Sequence, residues 1–251
     1  MTTKIYGLGY VGKAMQVLFP ESLIHDPALN LISEEYANIS FVCVPTNLKD
    51  GKLDTSIVEE VVKNCDSELI IIRSTVMPGT CDKLEKLGKN IVFQPEYLGE
   101  TVNHPLLIEK NNPFMVIGGR LENRRKAIEL YSKVYNANIT IRQLTNYEAE
   151  VVKLTENRAI GFKVMQLHEL YLVCERAGID YYTIRDTVYG DDPRFNLWFS
   201  FIYSNNLGFN SSKCLKKDIP GWIAWAESIG FNPEITKMLI KKSNDYNEIK
   251  V

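Results

Sequence analysis

One cysteine stands among cations in the stretch GFNSSKCLKKD. Cys214 is flanked by Lys213, Lys216 and Lys217, and Asp218 follows it by four residues. Positive neighbours favour the thiolate over the thiol, and the thiolate is the reactive form of cysteine. The stretch alone leaves two interpretations open: a catalytic nucleophile, or an incidental cysteine on a lysine-rich surface loop.

A second set of polar residues lies in a segment without proline, NYEAEVVKLTENRAIGFKVMQLHELYLVCERAG. Its apolar positions recur at helical spacing, which predicts one long helix that stops near Gly178. Lys153 and Asn157 are four residues apart and share a helix face, with Glu150 one turn earlier on a similar face. The ordinary interpretation of such a face is a solvated surface, and the alternative is a face directed at a site.

The N-terminal stretch TKIYGLGYVGKAMQVLF gives a short strand, then Gly7, Gly9 and Gly12, then a helical run. In this pattern the first glycine permits a tight turn, the second lets the backbone approach a pyrophosphate, and the third lets helix and strand pack closely. Asp26 ends the next predicted strand, nineteen residues after Gly7. An acidic residue there accepts hydrogen bonds from the adenosine ribose hydroxyls and repels a 2′-phosphate. This favours NAD over NADP as the cofactor. The alternative is a turn aspartate before Pro27.

Short, apolar, β-branched segments continue through the first half and alternate with helical stretches around 55–64 and 80–87. They are predicted strands at 39–45, 68–75, 90–96 and 113–119. Alternation of this kind predicts an α/β fold, a doubly wound parallel sheet of the Rossmann type. The loops VPTN, STVMPGT and QPEYLGE follow strands, at the edge where such sheets bind ligands.

We therefore predict two domains. Residues 1–145 form the nucleotide-binding domain, and residues 146–251 form an all-helical domain with a long central helix. Further helices are predicted at 179–190, 222–230 and 233–249, the first followed by a loop from Gly190.

The bulk composition excludes several classes of protein. The net charge is −2, with 45% hydrophobic and 24% charged residues, so nothing global indicates nucleic acid or a membrane as partner. The five cysteines are odd in number and contain no C-x-x-C pair, which argues against a disulfide framework or a metal site. With no leader after Met1 and no membrane-length apolar run, we expect a cytoplasmic protein.

Seven motifs occur in order: GLGYVG, CVPTN, STVMPGT, QPEYLGE, EAEVVKLTEN, DPRFN and CLKKD. Together they closely resemble the UDP-glucose/GDP-mannose dehydrogenases, in particular the members that oxidise UDP-glucose, from about Lys4 to the end of the chain. The resemblance implies oxidation of a nucleotide-sugar C6 alcohol to the carboxylate, UDP-glucose to UDP-glucuronate. It implies two hydride transfers to NAD through a cysteine thiohemiacetal and thioester, and a homodimer formed through the long helix.

The resemblance also assigns catalytic roles to residues that match its motifs. Cys214 matches the nucleophile, and Lys153 and Asn157 match the pair that steadies the oxyanion and an ordered water. Thr75 matches a residue near the reacting centre, and Asp218 the aspartate that follows the cysteine motif. The carboxylates of the P-E-x-L-x-E loop are Glu96 and Glu100, the second of which can activate water.

The implied binding residues fall into two groups. Those for the cofactor are Gly7, Gly9, Tyr10, Val11, Gly12, Asp26, Pro45, Thr46, Thr75 and Glu100. Those for the substrate are Glu96, Tyr97, Leu98, Lys153, Asn157, Lys217 and Arg194, the last of which can reach a neighbouring subunit's sugar site.

The sequence departs from the family pattern at three places. Asn210, Ser211, Ser212 and Lys213 replace a glycine-rich approach to the cysteine, Gly99 replaces an arginine or alanine, and Lys216 replaces a proline. Side chains in place of the glycines are expected to narrow or re-aim the pocket.

A fourth departure concerns length. The chain stops at Val251, so we expect no second nucleotide-binding domain. A substitute platform for phosphate and base is one hypothesis, and solvated charges with packing aromatics are the alternative; the residues concerned are Lys213, Lys216, Lys217, Trp222 and Trp225.

Two other functions remain open from the sequence. One is a single two-electron oxidation of the hydroxyacid dehydrogenase type, which also pairs a Rossmann domain with a lysine near an asparagine. The other is a non-catalytic NAD-binding subunit, or one that depends on a partner.

Overall fold

The structure, a computed structural model, describes residues 1–99, 101 and 103–249, which fall into two compact units. The first unit comprises Met1–Leu98 and Leu106–Leu154. The second comprises 99–105 and the chain from Thr155 onward. The division into 1–145 and 146–251 stays a prediction.

The strands of the first unit are short and mostly buried. They are β1 (Thr3–Tyr6), β2 (Leu23–His25), β3 (Ile39–Val42), β4 (Leu48–Lys49), β5 (Lys52–Leu53), β6 (Leu69–Ile72), β7 (Ile91–Phe93), β8 (Phe114–Gly119) and β9 (Thr140–Leu144). Strands β4 and β5 form a small antiparallel hairpin, and the rest form one sheet in the order β2-β1-β3-β6-β7-β8-β9. The α/β fold class predicted from the sequence is confirmed.

The sheet is mostly parallel, but its far edge is not. Strand β8 runs antiparallel to β7, and β9 runs parallel to β8. A parallel return requires a crossover of a dozen or more residues, usually helical. Between β7 and β8 the described residues form only a 3₁₀ turn, Glu109–Asn111. The expectation of a wholly parallel sheet was therefore wrong at β8.

Helices cover both faces of this sheet. They are α1 (Tyr10–Leu18), α2 (Ser56–Asn64), α3 (Thr80–Glu85) and α4 (Leu121–Tyr131). Strand β6, LIII, shows why the sheet needs two covers. Leu69 and Ile71 pack into one core layer and Ile70 and Ile72 into the other, and all four are fully buried.

The long helix predicted from periodicity is α5, Asn146–Ala177. It ends where Gly178 adopts a positive φ of 66°, and the Ile179 N–H donates to Cys174 O, the usual way of closing a helix C-terminus. The first turns of α5 belong to the first unit and its remainder to the second.

The second unit contains helices joined by loops, and its described residues include no strand. Besides α5 it contains α6 (Tyr181–Arg185), a π-helical turn (Asp186–Asp191), α7 (Leu215–Ser228) and α8 (Glu234–Asn247). The predicted loop from Gly190 begins slightly later, and α7 begins seven residues before the predicted start, directly after Cys214. Its core contains Met165, Phe209, Leu215, Ile219 and Leu239.

We predict that Gly12→Ala destabilises the protein. A Cβ at Gly12 would lie 2.0 Å from Gly7 O, so helix α1 would have to move away from β1. Overpacking of this kind costs about 1–3 kcal/mol of unfolding free energy, measured by urea denaturation. Gly9→Ala is the control, because nothing lies within 4 Å of its Cβ and its φ is −71°. Equal stability of the two variants would contradict the packing role of Gly12.

Candidate active site

Four sequence motifs meet at one edge of the sheet. Strands β1, β3, β6 and β7 are mutually parallel neighbours, so their carboxyl ends face the same way. The segments that follow these ends are GLGYVG, VPTN, STVMPGT and QPEY. In open α/β sheets the ligand site lies at this edge.

The glycine loop has the geometry of a phosphate cradle. Gly7 has φ 85°, and a Cβ there would lie 2.8 Å from Cys43 O. Gly9 is the N-cap of α1 and faces open space, and Tyr10 and Val11 are the first residues of the helix. A pyrophosphate fits here because the cradle combines free space, amide donors and the positive end of the helix dipole.

Asp26 contacts this loop directly. Its Oδ2 accepts from Leu8 N at 2.6 Å, and its Oδ1 accepts from Ala28 N at 3.0 Å. The second bond caps the 3₁₀ turn Pro27–Leu29. Asp26 is therefore a turn aspartate that also sets a carboxylate against the glycine loop, and its contact with the adenosine ribose stays a prediction.

The two middle loops are joined to each other. Thr46 Oγ1 donates to Thr75 O at 2.7 Å, and Ser74 Oγ donates to Val44 O at 2.7 Å. Thr46 and Thr75 are both buried, whereas Pro45 is exposed. These bonds fix the backbone on which the Thr75 hydroxyl is carried.

Lys153 is buried on α5, with 3% of its surface exposed. Its Nζ donates to Glu96 O at 2.7 Å, lies 3.5 Å from Glu96 Oε1, and sits 5.3 Å from the centroid of the Tyr97 ring. Glu96 is buried too, and its Oε2 accepts from Leu98 N. Lys153 is thus a desolvated cation held on the QPEY loop, and the solvated-surface interpretation of this face was wrong.

Glu150 is fully buried one turn before Lys153. Its two carboxylate oxygens accept from Gly79 N at 2.6 Å and from Cys81 N at 2.8 Å. Burial raises the pKa of the Glu150 carboxyl to about 7, although these amide donors lower it.

In the second unit, Asn157 and the cysteine motif are linked through Asp218. Asp218 is fully buried; its Oδ2 accepts from Asn157 Nδ2 at 2.6 Å, and its Oδ1 accepts from Lys217 Nζ at 2.7 Å. Cys214 is half-buried at the N-cap of α7, and its carbonyl accepts from Asp218 N. The cysteine therefore stands at a helix N-terminus, an environment that favours a thiolate.

The segment before Cys214 is fastened by the side chains that replace glycines. Asn210 Nδ2 donates to Asn244 Oδ1, Ser211 Oγ accepts from Asn206 Nδ2, and Ser212 Oγ accepts from Leu215 N. These bonds hold the three side chains against their own unit. Position 99 also has a steric reason for glycine, since a Cβ there would lie 2.0 Å from the His104 ring.

Trp222 and Trp225 make packing contacts within the second unit, and their role as a platform for phosphate and base stays a hypothesis. Trp222 Nε1 donates to Thr155 Oγ1, and the Arg158 guanidinium lies 4.3 Å from the Trp222 ring centroid. Trp225 meets Trp222 edge to face. These contacts are those of aromatics that pack α7 against α5, while Lys213 and Lys216 are exposed.

Two predicted residues remain, of which only Arg194 is described by the structure. Glu100 falls outside the described residues. The Arg194 side chain is 80% exposed and pairs with Asp192 at 2.6 Å, so within this chain it serves a local turn.

A buried ionic network below the sheet edge was missed. Arg73, fully buried directly before Ser74, pairs with Glu109 at 2.8 Å and contacts Gln94. Although burial lowers it, the Glu109 carboxylate raises the pKa of Arg73 above its ordinary value. Tyr135 donates to Glu109 Oε1. The arginine inside the apolar run IIIRST was the available signal, but its partner is 36 residues away.

The other thiols are poor candidates for a nucleophile. Desolvation raises the pKa of Cys43 to about 12 and that of Cys81 well above its ordinary value. Cys65 and Cys174 are buried. Among the described residues no group of metal-ligating side chains occurs, and no helix there has both the length and the apolar character to cross a bilayer.

Comparison with known proteins gives two family matches. The NAD-binding domain of the UDP-glucose/GDP-mannose dehydrogenase family matches residues 31–138, and the central domain of the same family matches residues 147–246. Together these matches cover more than half of the chain.

Relatives and solved structures agree with this assignment. UDP-glucose 6-dehydrogenase AglM of Haloferax volcanii is 24% identical over 304 positions, covering 96% of this chain and 69% of that protein. The UDP-glucose dehydrogenase structure from Pyrobaculum islandicum has a TM-score of 0.76 at 20% identity, covering 97% of this chain and 68% of its own. The UDP-D-ManNAc dehydrogenase structure from Pyrococcus horikoshii has a TM-score of 0.79 at 20% identity, with coverages of 98% and 69%.

The chain is shorter than these relatives. It spans about two thirds of the three proteins above, and 46–51% of several other UDP-glucose 6-dehydrogenases. The alignment with AglM is also longer than the 251-residue chain, so AglM carries inserted segments within the matched region. From the two domain matches and the shared fold, we conclude that this chain belongs to the UDP-glucose/GDP-mannose dehydrogenase family, whose members use NAD.

Proposed function

We propose that the chain oxidises the C6 alcohol of a nucleotide sugar, UDP-glucose to UDP-glucuronate, in two NAD-dependent steps with Cys214 as nucleophile. The observation that carries this proposal is the burial of Lys153. A buried ammonium is costly unless it is bound, and this one is held on the loop of Glu96. A cation in a dry site is suited to stabilise an oxyanion, an effect worth roughly 3–4 kcal/mol for one well-placed donor.

The glycine loop and Asp26 fit the cofactor. Open space at Gly9, the N-terminus of α1 and the carboxylate beside Leu8 N suit a pyrophosphate and an adenosine ribose without a 2′-phosphate. When bound, NAD accepts a hydride from C6 in each of two oxidations. We assign Thr46 and Thr75 to the wall of this site, because their bond joins two loops at the same sheet edge.

The proposed reaction balances as follows. Loss of the hydroxyl proton and of one hydride converts the alcohol to an aldehyde. The Cys214 thiolate adds to C6 and, with a proton, gives a thiohemiacetal. Loss of that hydroxyl proton and of a second hydride from C6 then gives a thioester. Water adds to the thioester, the C–S bond breaks, and the carboxylate and free thiol are released.

The remaining side chains have stated roles in this proposal. Lys153 stabilises the successive oxyanions, and Asn157 and Asp218 hold the attacking water. Lys217 pairs with the buried Asp218 carboxylate and holds it in place beside Asn157. Glu96 orients Lys153 and, with Tyr97 and Leu98, borders the sugar.

We further propose a cytoplasmic homodimer. Five free cysteines suit a reducing compartment.

A groove of about 750 Å³ between α5 and α8 is lined by apolar side chains, including Val173, Ile235 and Met238, which are largely exposed in the single chain. Patches of this kind mark protein–protein contacts.

The central prediction concerns stoichiometry. We expect two NADH per UDP-glucose at completion, and a loss of at least about 1,000-fold in turnover for Cys214→Ala, because the covalent nucleophile is removed. Cys174→Ala, which deletes a buried thiol of the same unit, should retain the stoichiometry of the wild type.

Other outcomes of that assay distinguish the alternatives. One NADH per substrate, unaffected by Cys214→Ala, would indicate a single two-electron oxidation. NAD binding without NADH formation from UDP-glucose, UDP-N-acetylhexosamines or GDP-mannose would indicate a non-catalytic subunit. Formation of two NADH per molecule of a different nucleotide sugar would change the proposed substrate and leave the proposed reaction intact.

Cofactor choice gives a second prediction. Asp26→Ser should reduce the preference for NADH over NADPH by about tenfold or more, equivalent to about 1.4 kcal/mol, because a negative charge no longer faces the added phosphate. Fluorescence titration with both cofactors measures the ratio. Asp54→Ser is the control, since Asp54 caps the start of α2 through Ser56 N. An unchanged ratio in Asp26→Ser would remove Asp26 from the cofactor site.

The dimer gives a third prediction. Met238→Asp should shift the sedimentation of the protein from dimer to monomer, because a carboxylate would be buried in an apolar contact. A wild type that sediments as a monomer at all concentrations tested would contradict the proposed dimer.

A further inference from the structure

Helix α3 lacks a cap of its own. Its N-cap is Gly79, which has φ 93° and no side chain to accept from the first helical N–H groups. The first N–H groups of a helix have no acceptor within the helix and need one from elsewhere. Here the carboxylate of Glu150, contributed by α5, accepts from Gly79 N and Cys81 N instead.

This contact closes the far end of the loop that carries Thr75. The near end is fixed by Ser74 and Thr46, through their bonds to Val44 O and Thr75 O. Within the loop, Thr80 N and Thr80 Oγ1 both donate to Met77 O. Glu150 therefore hydrogen-bonds the end of this loop to α5, one turn from Lys153.

We propose that Glu150 is a positioning residue for the dehydrogenase reaction: its ionised carboxylate clamps the Thr75 loop to α5 and so sets Thr75 relative to Lys153. This inference rests on the proposed function for its catalytic consequence, but the clamp itself does not. A carboxylate can accept from both amides at once, whereas a protonated carboxyl must present an O–H near two donors.

The clamp is sensitive to pH in the physiological range. Burial raises the pKa of Glu150 from 4.5 to about 7, and the Asp82 carboxylate of α3 adds to the rise. The other titratable group of α3 that faces it is Cys81, whose pKa burial raises well above its ordinary value, so that thiol stays protonated. On α5 itself Lys153 lies one turn away. The clamp should be half formed near pH 7, form more completely as the pH rises above that value, and weaken as the pH falls below it.

The raised pKa of Glu150 also makes its contribution to the free energy of unfolding depend on pH. Because the folded pKa lies above the ordinary value, the folded state binds the proton more tightly than the unfolded state. Glu150 therefore favours folding below about pH 4.5, and that contribution is lost as the pH rises to about 7. Clamp formation and stability change in opposite directions over this window, which separates positioning from simple stabilisation.

The test compares Glu150→Gln with Glu148→Gln. Glu148 is an exposed carboxylate in the same turn of α5 that caps the helix through Thr145 N and does not contact the Thr75 loop. We expect the ratio of kcat between wild type and Glu150→Gln to rise from about 1–3 at pH 6 to about tenfold or more at pH 8, with NADH affinity changed less than threefold. A ratio isolates the Glu150 ionisation, because other groups titrate in both proteins. The Glu148→Gln ratio should stay within twofold of one.

Amide hydrogen exchange without substrate tests the clamp independently. In the wild type, the protection of Gly79 N and Cys81 N, corrected for intrinsic rates, should rise with pH through about 7, and this needs no variant. In Glu150→Gln the same amides should lose protection, while in Glu148→Gln they should keep it.

Each outcome decides a stated part of the proposal. A kcat ratio that is constant between pH 6 and 8, or protection at Gly79 and Cys81 that does not depend on pH, would overturn it. Altered protection with unchanged kcat would show a clamp without a positioning role, which also overturns it. A wild type that forms no NADH with any nucleotide sugar would defeat the proposed function, while the exchange result would still decide the clamp.

Discussion

Helix α5 buries polar side chains along one face, and each of them has to find a partner. Asn146, Glu150, Lys153 and Asn157 recur at steps of four, three and four residues, and all are nearly inaccessible to solvent. A buried polar group without a partner costs on the order of 1–3 kcal/mol, and a buried charge costs more. The partners are backbone and carboxylate groups of other segments: Phe93 N for Asn146, Gly79 N and Cys81 N for Glu150, Glu96 for Lys153, and Asp218 for Asn157.

This constraint explains why residues far apart in sequence are organised by one helix. The Thr75 loop and the QPEY loop follow adjacent strands, β6 and β7, and each is fastened to the first turns of α5 by a different side chain. An apolar helix face would pack at a lower desolvation cost, but it would form no hydrogen bond or ion pair that fixes the position of a loop. The buried network of Arg73 and Glu109 acts in the same way beneath the Thr75 loop. Stability and chemistry are thus linked in this unit, because the groups that satisfy buried charges are also those proposed to act on substrate.

Much of the architecture is visible in the sequence, for local reasons. Helix α5 is recognisable from its periodicity, and its end from Gly178, because both depend on neighbours in the chain. The glycine loop is recognisable for the same reason, because its glycines lie close together in the chain. The reversed strand β8 is not, since its direction depends on whether the preceding segment forms a crossover helix. The burial of Lys153 is not predictable either: an i, i+4 polar pair looks the same on a solvated face as on a buried one, and only the partner at Glu96 decides. Glu150 and Arg73 were missed as anchors for that reason, because their partners lie 71 and 36 residues away.

The central claim is that the buried cation on α5 is retained for hydride transfer, and single-turnover NADH formation by Lys153→Met tests it most directly. Methionine has similar length without charge, and NADH titration together with circular dichroism would establish that the variant is folded. We expect cofactor binding close to that of the wild type and NADH formation slower by about 100-fold or more, as for the loss of one preorganised oxyanion donor. If folded Lys153→Met forms NADH at the wild-type rate, the claim is contradicted, and the buried polar face of α5 has a structural role only.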